Sequence, residues 1–241
     1  MTKCSKGSSI ESAKKTNRRT TIRGGHTITP IGLGFRVIRG GSVVVGVSAG
    51  DREPRVVLST LLATAAEGDR LSLEPYYVAS QMMRGADGGA SAEAAAAVAE
   101  GRKRQERLAA KGLDDIVHKL RDGGCEPVVA ALLVNRAGWI PDLLAFSLAW
   151  PQHPPVAEGL ALREVLRFAI GRVGIEVAEL DEKSLPGLAA KTLDMSSAEI
   201  DACLKALGVT VGRPWRKEQK FACLSAWVAV TGRGCVDSHG D

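Results

Sequence analysis

The sequence predicts an α/β fold, one mixed five-stranded sheet flanked by helices. Three observations predict it. Strand patterns occur three times in succession near the start of the body, joined by short polar turns. Two further apolar strand patterns then alternate with helical ones, the arrangement that builds a parallel extension of a sheet. The chain also has 241 residues, 45% of them hydrophobic, enough for one sizeable core.

Residues 43–47 are a nearly continuous β-branched run, the pattern of a strand buried on both faces. Gly50-Asp51-Arg52-Glu53-Pro54 is a turn. Residues 55–64 resume as a strand, and 70–80, with the aromatic pair Tyr76-Tyr77, read as a third. The polar turn Ala66-Glu67-Gly68-Asp69 joins these two and completes an antiparallel meander. A helix is predicted over 91–120. Ser91 is its N-cap, and Glu93 suits the positive end of the helix dipole, while Ala94 stands where a full capping box would need Glu. Its basic middle, 101–107, reads as a solvated face because Glu100 and Glu106 sit among the cations. Asp122-Gly123-Gly124 stops the helix.

Residues 127–134 form a second apolar strand running into Asn135-Arg136-Ala137-Gly138-Trp139. Helices follow at 141–150 and 156–173, then a strand at 175–180. A helix at 196–207 is capped by Ser196 or Ser197, with Glu199 in its first turn. The final helix, 216–231, starts after Pro214-Trp215. Trp227 falls on its apolar face with Leu224 and Val228, whereas Trp139 follows a strand end and is the better base-stacking candidate.

Residues 1–40 lack hydrophobic periodicity and are rich in Ser, Thr, Gly, Lys and Arg, so they are expected to be disordered. The same is expected of 234–241, which leaves 41–233 as the folded domain. The first 40 residues hold nine of the 32 basic residues and one of the 27 acidic ones, leaving 23 and 26 in the body. The overall charge of +5 is therefore a property of the tail, and the body carries −3. Cys4, Cys125, Cys203, Cys223 and Cys235 make no CxxC pair, and the four histidines lack metal-ligand spacing. No secretory h-region and no apolar run of membrane-spanning length is present. These features fit a cytoplasmic protein with reduced cysteines. Gly85-Ala86-Asp87-Gly88-Gly89 lacks the Lys and Ser/Thr of a phosphate-binding loop. His153 stands near Glu158 in the proline-rich loop 151–155, where a lone histidine is expected to be simply exposed.

Four segments resemble one family. Val45-Gly46-Val47-Ser48-Ala49-Gly50 resembles an opening G-[IV]-D-P-G strand. Ala131-Leu132-Leu133-Val134-Asn135-Arg136 resembles a strand that ends in a catalytic glutamate. Residues 162–177, with their Gly174-Ile175-Glu176-Val177 exit, resemble a helix followed by G-[IL]-x-V. Lys217-Glu218-Gln219-Lys220-Phe221-Ala222-Cys223 matches a D-x-x-D-A-L-A pattern in a last helix. In this order the segments resemble the ribonuclease H-like superfamily, and within it the RuvC-type Holliday junction resolvases, over residues 43–231.

Nucleases of that fold hold two divalent metals between carboxylates on the first strand, the fourth strand and the last helix. The resemblance puts Ser48, Asn135 and Lys217 or Lys220 at those places. Neutral oxygens bind Mg²⁺ weakly, and ammonium groups repel it. Glu218 is set aside because a helix turns it about 100° from Lys217. The resemblance thus implies a degenerate nuclease with no catalytic residue and no cofactor, leaning away from an enzyme. It would bind structured DNA or RNA, or a protein partner, through Ser48, Asn135, Arg136, Trp139, Lys217 and Lys220. Two other readings stay open. One is a Mg²⁺-dependent endonuclease with a relocated acidic site built from Asp51, Glu158 and Asp181. The other is a protein-interaction module or homodimer with no nucleic-acid role, which the body's charge favours.

Overall fold

In the computed structural model, which describes residues 22–23, 26–49, 53–135 and 140–236, five strands form one mixed sheet. They are β1 (Thr29–Ile38), β2 (Gly41–Ala49), β3 (Pro54–Ala63), β4 (Cys125–Val134) and β5 (Val177–Asp181). Their spatial order is β3-β2-β1-β4-β5. The first three are antiparallel neighbours, β4 runs parallel to β1, and β5 parallel to β4. The first strand lies in the centre, and the sheet is the mixed five-stranded one that the sequence predicts. Ile22–Arg23 and His26–Thr27 form a separate two-residue pairing ahead of it.

The helices are α1 (Arg70–Leu73), α2 (Pro75–Ser80), α3 (Ala92–Asp122), α4 (Leu143–Ala149), α5 (Pro154–Arg172), α6 (Leu185–Leu193), α7 (Ser197–Val211) and α8 (Lys217–Val236). They cover both sheet faces. Strand alternation sends Ile31, Leu33 and Phe35 of β1 to one side, where they meet Ala109, Leu113 and Val117 of α3 and Leu166 and Ile170 of α5. All three strand residues are fully buried, about 1.5–3 kcal/mol of transfer free energy each. On the other face Val43, Val45, Val47 and Leu133 pack against Leu185, Ile200, Leu204, Ala226 and Trp227 of α6, α7 and α8.

The intervening residues of β1, Gly32 and Gly34, lie under α8. A Cβ on Gly34 would overlap the Ala222 carbonyl and come within 2.6 Å of Ser225 Oγ, and one on Gly32 would overlap the Ala226 carbonyl. The glycines let the last helix rest directly on the central strand.

Three sequence expectations are corrected. The segment expected to be disordered up to residue 40 holds the paired strands Ile22–Arg23 and His26–Thr27 and, from Thr29, the central strand; residues 1–21, 24 and 25 lie outside the described residues. Segment 70–80 is two short helices, not a strand. Asp69 caps the first by accepting the Leu71 and Ser72 N–H groups, Pro75 opens the second, and Tyr76 is buried with Ala79, Ala94, Val98, Ala157 and Ala161. Helix α8 runs to Val236, past the expected domain end at 233. The sequence reading also passed over α6. The α3 boundaries and the Ser196 cap stand as expected, the latter as a full capping box with Glu199.

Candidate functional site

Strands β1, β4 and β5 end at one edge of the sheet, the side on which open α/β sheets bind ligands. Three elements deliver charge to the α8 side of that edge. Arg36 follows Phe35 on β1, and alternation turns it to the face of Gly32 and Gly34. Glu182 directly follows β5, and its N–H donates to the Val134 carbonyl at 2.9 Å, extending the parallel ladder by one residue. Glu218 sits in the first turn of α8.

The Arg36 guanidinium joins the two acids. Its Nη2 and Nε donate to Glu182 Oε1 and Oε2 at 2.8 and 3.3 Å, and its Nη1 donates to Glu218 Oε1 at 3.0 Å. The Arg36 side chain is 17% exposed. Phe221, one turn into α8, covers it, with the guanidinium carbon 5.6 Å from the ring centre. Lys217 Nζ lies 5.5 Å from the same ring. The hydrogen bonds that Arg36 donates to Glu182 raise its pKa, so it holds its proton against burial. The Glu218 carboxyl is held below its ordinary range, first by its own backbone N–H at the helix start and then by Arg36.

A second guanidinium stands nearby. Arg163 of α5 donates from Nε to the Leu133 carbonyl at 3.1 Å and from Nη1 to the Gly159 carbonyl at 2.8 Å. Its pKa is lowered by burial. With the exposed Asn135 it lines a cleft of about 690 Å³ that also touches Arg102, Asp142 and Glu164. Arg102 and Glu164 form an ion pair at 2.8 Å, and Arg167 pairs with Glu179.

The sequence-predicted residues separate. Ser48 pairs with Ile31, five residues along β1 from Arg36 and therefore about 17 Å away by strand rise. It shares the sheet face of Ile31, opposite to α8, so it does not belong to this site. The strand taken for the opening one is the second, because β1 was counted as tail. Asn135 follows β4 at the expected edge. Lys217 reaches the Arg36–Phe221 cluster, whereas Lys220 lines a groove beside Trp215. Arg136 and Trp139 lie outside the described residues. The helical rotation expected to carry Glu218 away is what aims it at Arg36.

Of the relocated acidic site, Asp51 lies outside the described residues. Glu158 is buried in the α5 layer, accepting the Tyr77 N–H at 2.9 Å. Asp181 accepts the Lys183 N–H at 3.2 Å. The sequence assigns no site role to Arg36, Glu182 or Phe221, and it sets Glu218 aside. The available signal was the alternation Ile31-x-Leu33-x-Phe35 inside a glycine-rich stretch, which marks a buried strand and turns Arg36 to the opposite face, toward α8.

The donor set does not fit a two-metal centre. Its two carboxylates already converge on a guanidinium, and a divalent cation would have to displace three charge-assisted hydrogen bonds. Among the described residues, no group of three His, Cys, Asp or Glu side chains has a metal-holding arrangement. No helix among them is long and apolar enough to cross a membrane.

No family model matches the sequence, and no curated protein matches it. Among solved structures, the chain is similar to "Thermus thermophilus RuvC structure", with a TM-score of 0.46 and 11% identity over 86% of this chain and 96% of that one. It is similar to "T. thermophilus RuvC in complex with Holliday junction substrate" at the same TM-score of 0.46 and 11% identity, over 86% of this chain and 95% of that one.

Proposed function

We propose that this chain is a catalytically degenerate ribonuclease H-like protein that binds structured nucleic acid without cutting it, with its own Arg36 in place of a metal cation. One observation carries the reading. The central strand delivers a guanidinium, not a carboxylate, to the edge shared with Asn135, Glu182 and Glu218. A fixed cation of this kind needs no metal to hold its two carboxylates. The neighbouring Lys217 and Asn135 then offer a cation and an amide to a phosphate group, which position a nucleic acid without reading its sequence.

The test uses branched and linear DNA with Mg²⁺ or Mn²⁺. The chain is expected to bind branched DNA without cleaving it, and Lys217→Ala to reduce the salt dependence of that binding by roughly one phosphate contact. Arg36→Asp, which sets three carboxylates at the edge, is expected to create Mn²⁺ binding measurable by calorimetry where the natural chain shows none. Metal-dependent cleavage by the natural chain, abolished in Glu182→Gln or Glu218→Gln, would overturn the reading. Absence of any salt-dependent binding would favour the protein-interaction module.

A further inference from the structure

We infer that a single-stranded phosphodiester chain binds in the groove between α7 and the start of α8, outside the Arg36 cluster. The inference rests on the reading above for its ligand class, but on none of the same side chains. The groove has a volume of about 670 Å³ and is lined by Lys205, Arg213, Arg216 and Lys220 around Val209 and Trp215. All four cations are exposed, and none forms an ion pair among the described residues. No acid lines the groove.

The charge is local. Between Asp201 and Phe221 the sequence has one acid, Glu218, which is bound to Arg36, against Lys205, Arg213, Arg216, Lys217 and Lys220. In a folded body whose charges nearly balance, this segment has a field suited to a polyanion.

The floor explains why the strand is single. Trp215 is held rigidly, with Nε1 donating to the Leu204 carbonyl at 2.8 Å and its ring against Gly208, where a Cβ would lie 2.7 Å from Trp215 Cγ. Beside it Val209 is 80% exposed. A duplex keeps its bases stacked inside and would present only backbone to this apolar surface. Unpaired bases lay their faces on it while the phosphates meet the cations. An acidic peptide could meet the same cations but carries no planar bases to lie on Trp215 and Val209, which is the contact that favours an unpaired strand.

The test is fluorescence anisotropy of a labelled oligothymidylate against the full chain over a range of salt. With about 0.7 of a counterion released per neutralised phosphate on a single strand, replacing all four cations is expected to lower the salt slope by about 3. Those replacements are Lys205→Ala, Arg213→Ala, Arg216→Ala and Lys220→Ala. Val209→Asp, at an exposed site that leaves the core untouched, is expected to weaken binding at least tenfold. An unchanged slope in the fourfold variant, or displacement by polyglutamate or duplex as effective as by unlabelled oligothymidylate, would overturn the inference. Because Lys217→Ala on branched DNA reports on the Arg36 cluster, failure of the groove and failure of the functional reading are separable.

Discussion

Glu158 is a carboxyl group placed where ionisation is costly. It sits on α5 at 7% exposure, with Oε1 accepting the Tyr77 N–H at 2.9 Å and Oε2 buried without a partner. Burial pushes its pKa from 4.5 up to about 7, against the opposing pull of the Tyr77 and Tyr76 N–H groups. Between those values the folded chain keeps a proton that the unfolded chain has released. The folded state is therefore favoured fully below pH 4.5, loses stability as pH rises toward 7, and levels off above it. A shift of this size corresponds to about 3 kcal/mol at most. Urea unfolding at intervals from pH 5 to 8 measures it. The natural chain is expected to lose about 2.5 kcal/mol more across that range than Glu158→Gln, which keeps an acceptor for Tyr77 but cannot ionise. Parallel stability curves for the two proteins would refute the reasoning.

Three further outcomes follow from packing and charge. Gly34→Ala forces a methyl group into the Ala222 carbonyl and is expected to cost roughly 3 kcal/mol, read as a lower denaturation midpoint with an unchanged m-value. Arg36→Met leaves Glu182 and Glu218 facing each other without their cation. It should destabilise the fold by roughly 2 kcal/mol near neutral pH and let the Glu218 pKa rise, which carboxyl-carbon NMR titration would detect. Ser196→Ala removes the capping box at the start of α7 and should cost about 1 kcal/mol in thermal unfolding; no measurable change would contradict the cap.

Elements held together by local chemistry were legible in the sequence. Helix α3 has its Ser91 cap, its dipole-matched Glu93 and its Gly123-Gly124 stop within the segment itself. Strands β2 and β4 carry the unbroken apolar runs 43–47 and 127–134, because each is buried on both faces there, and the capping box of α7 is a four-residue pattern. From these the sheet-and-helix order could be read, along with Asn135 at a strand end and Lys217 at a helix start. The 70–80 segment misled because two adjacent tyrosines resemble a strand. Their environment is a helical corner closed by the Asp69 cap and Pro75.

The central strand was the reverse case. Thr29–Ile38 owes two of its residues, Gly32 and Gly34, to the closeness of α8, a partner almost two hundred residues away in sequence. Side chains that would have announced a strand are absent because the neighbouring helix needs their space. With the strand unrecognised, Arg36 was counted among the cations of a tail. The sequence by itself determined the fold class and the order of most elements, since periodicity and caps act over a few residues. Only the tertiary structure decided which strand lies at the centre and which of its side chains meets the start of α8. That depends on close approach between distant segments, and it puts a guanidinium between Glu182 and Glu218.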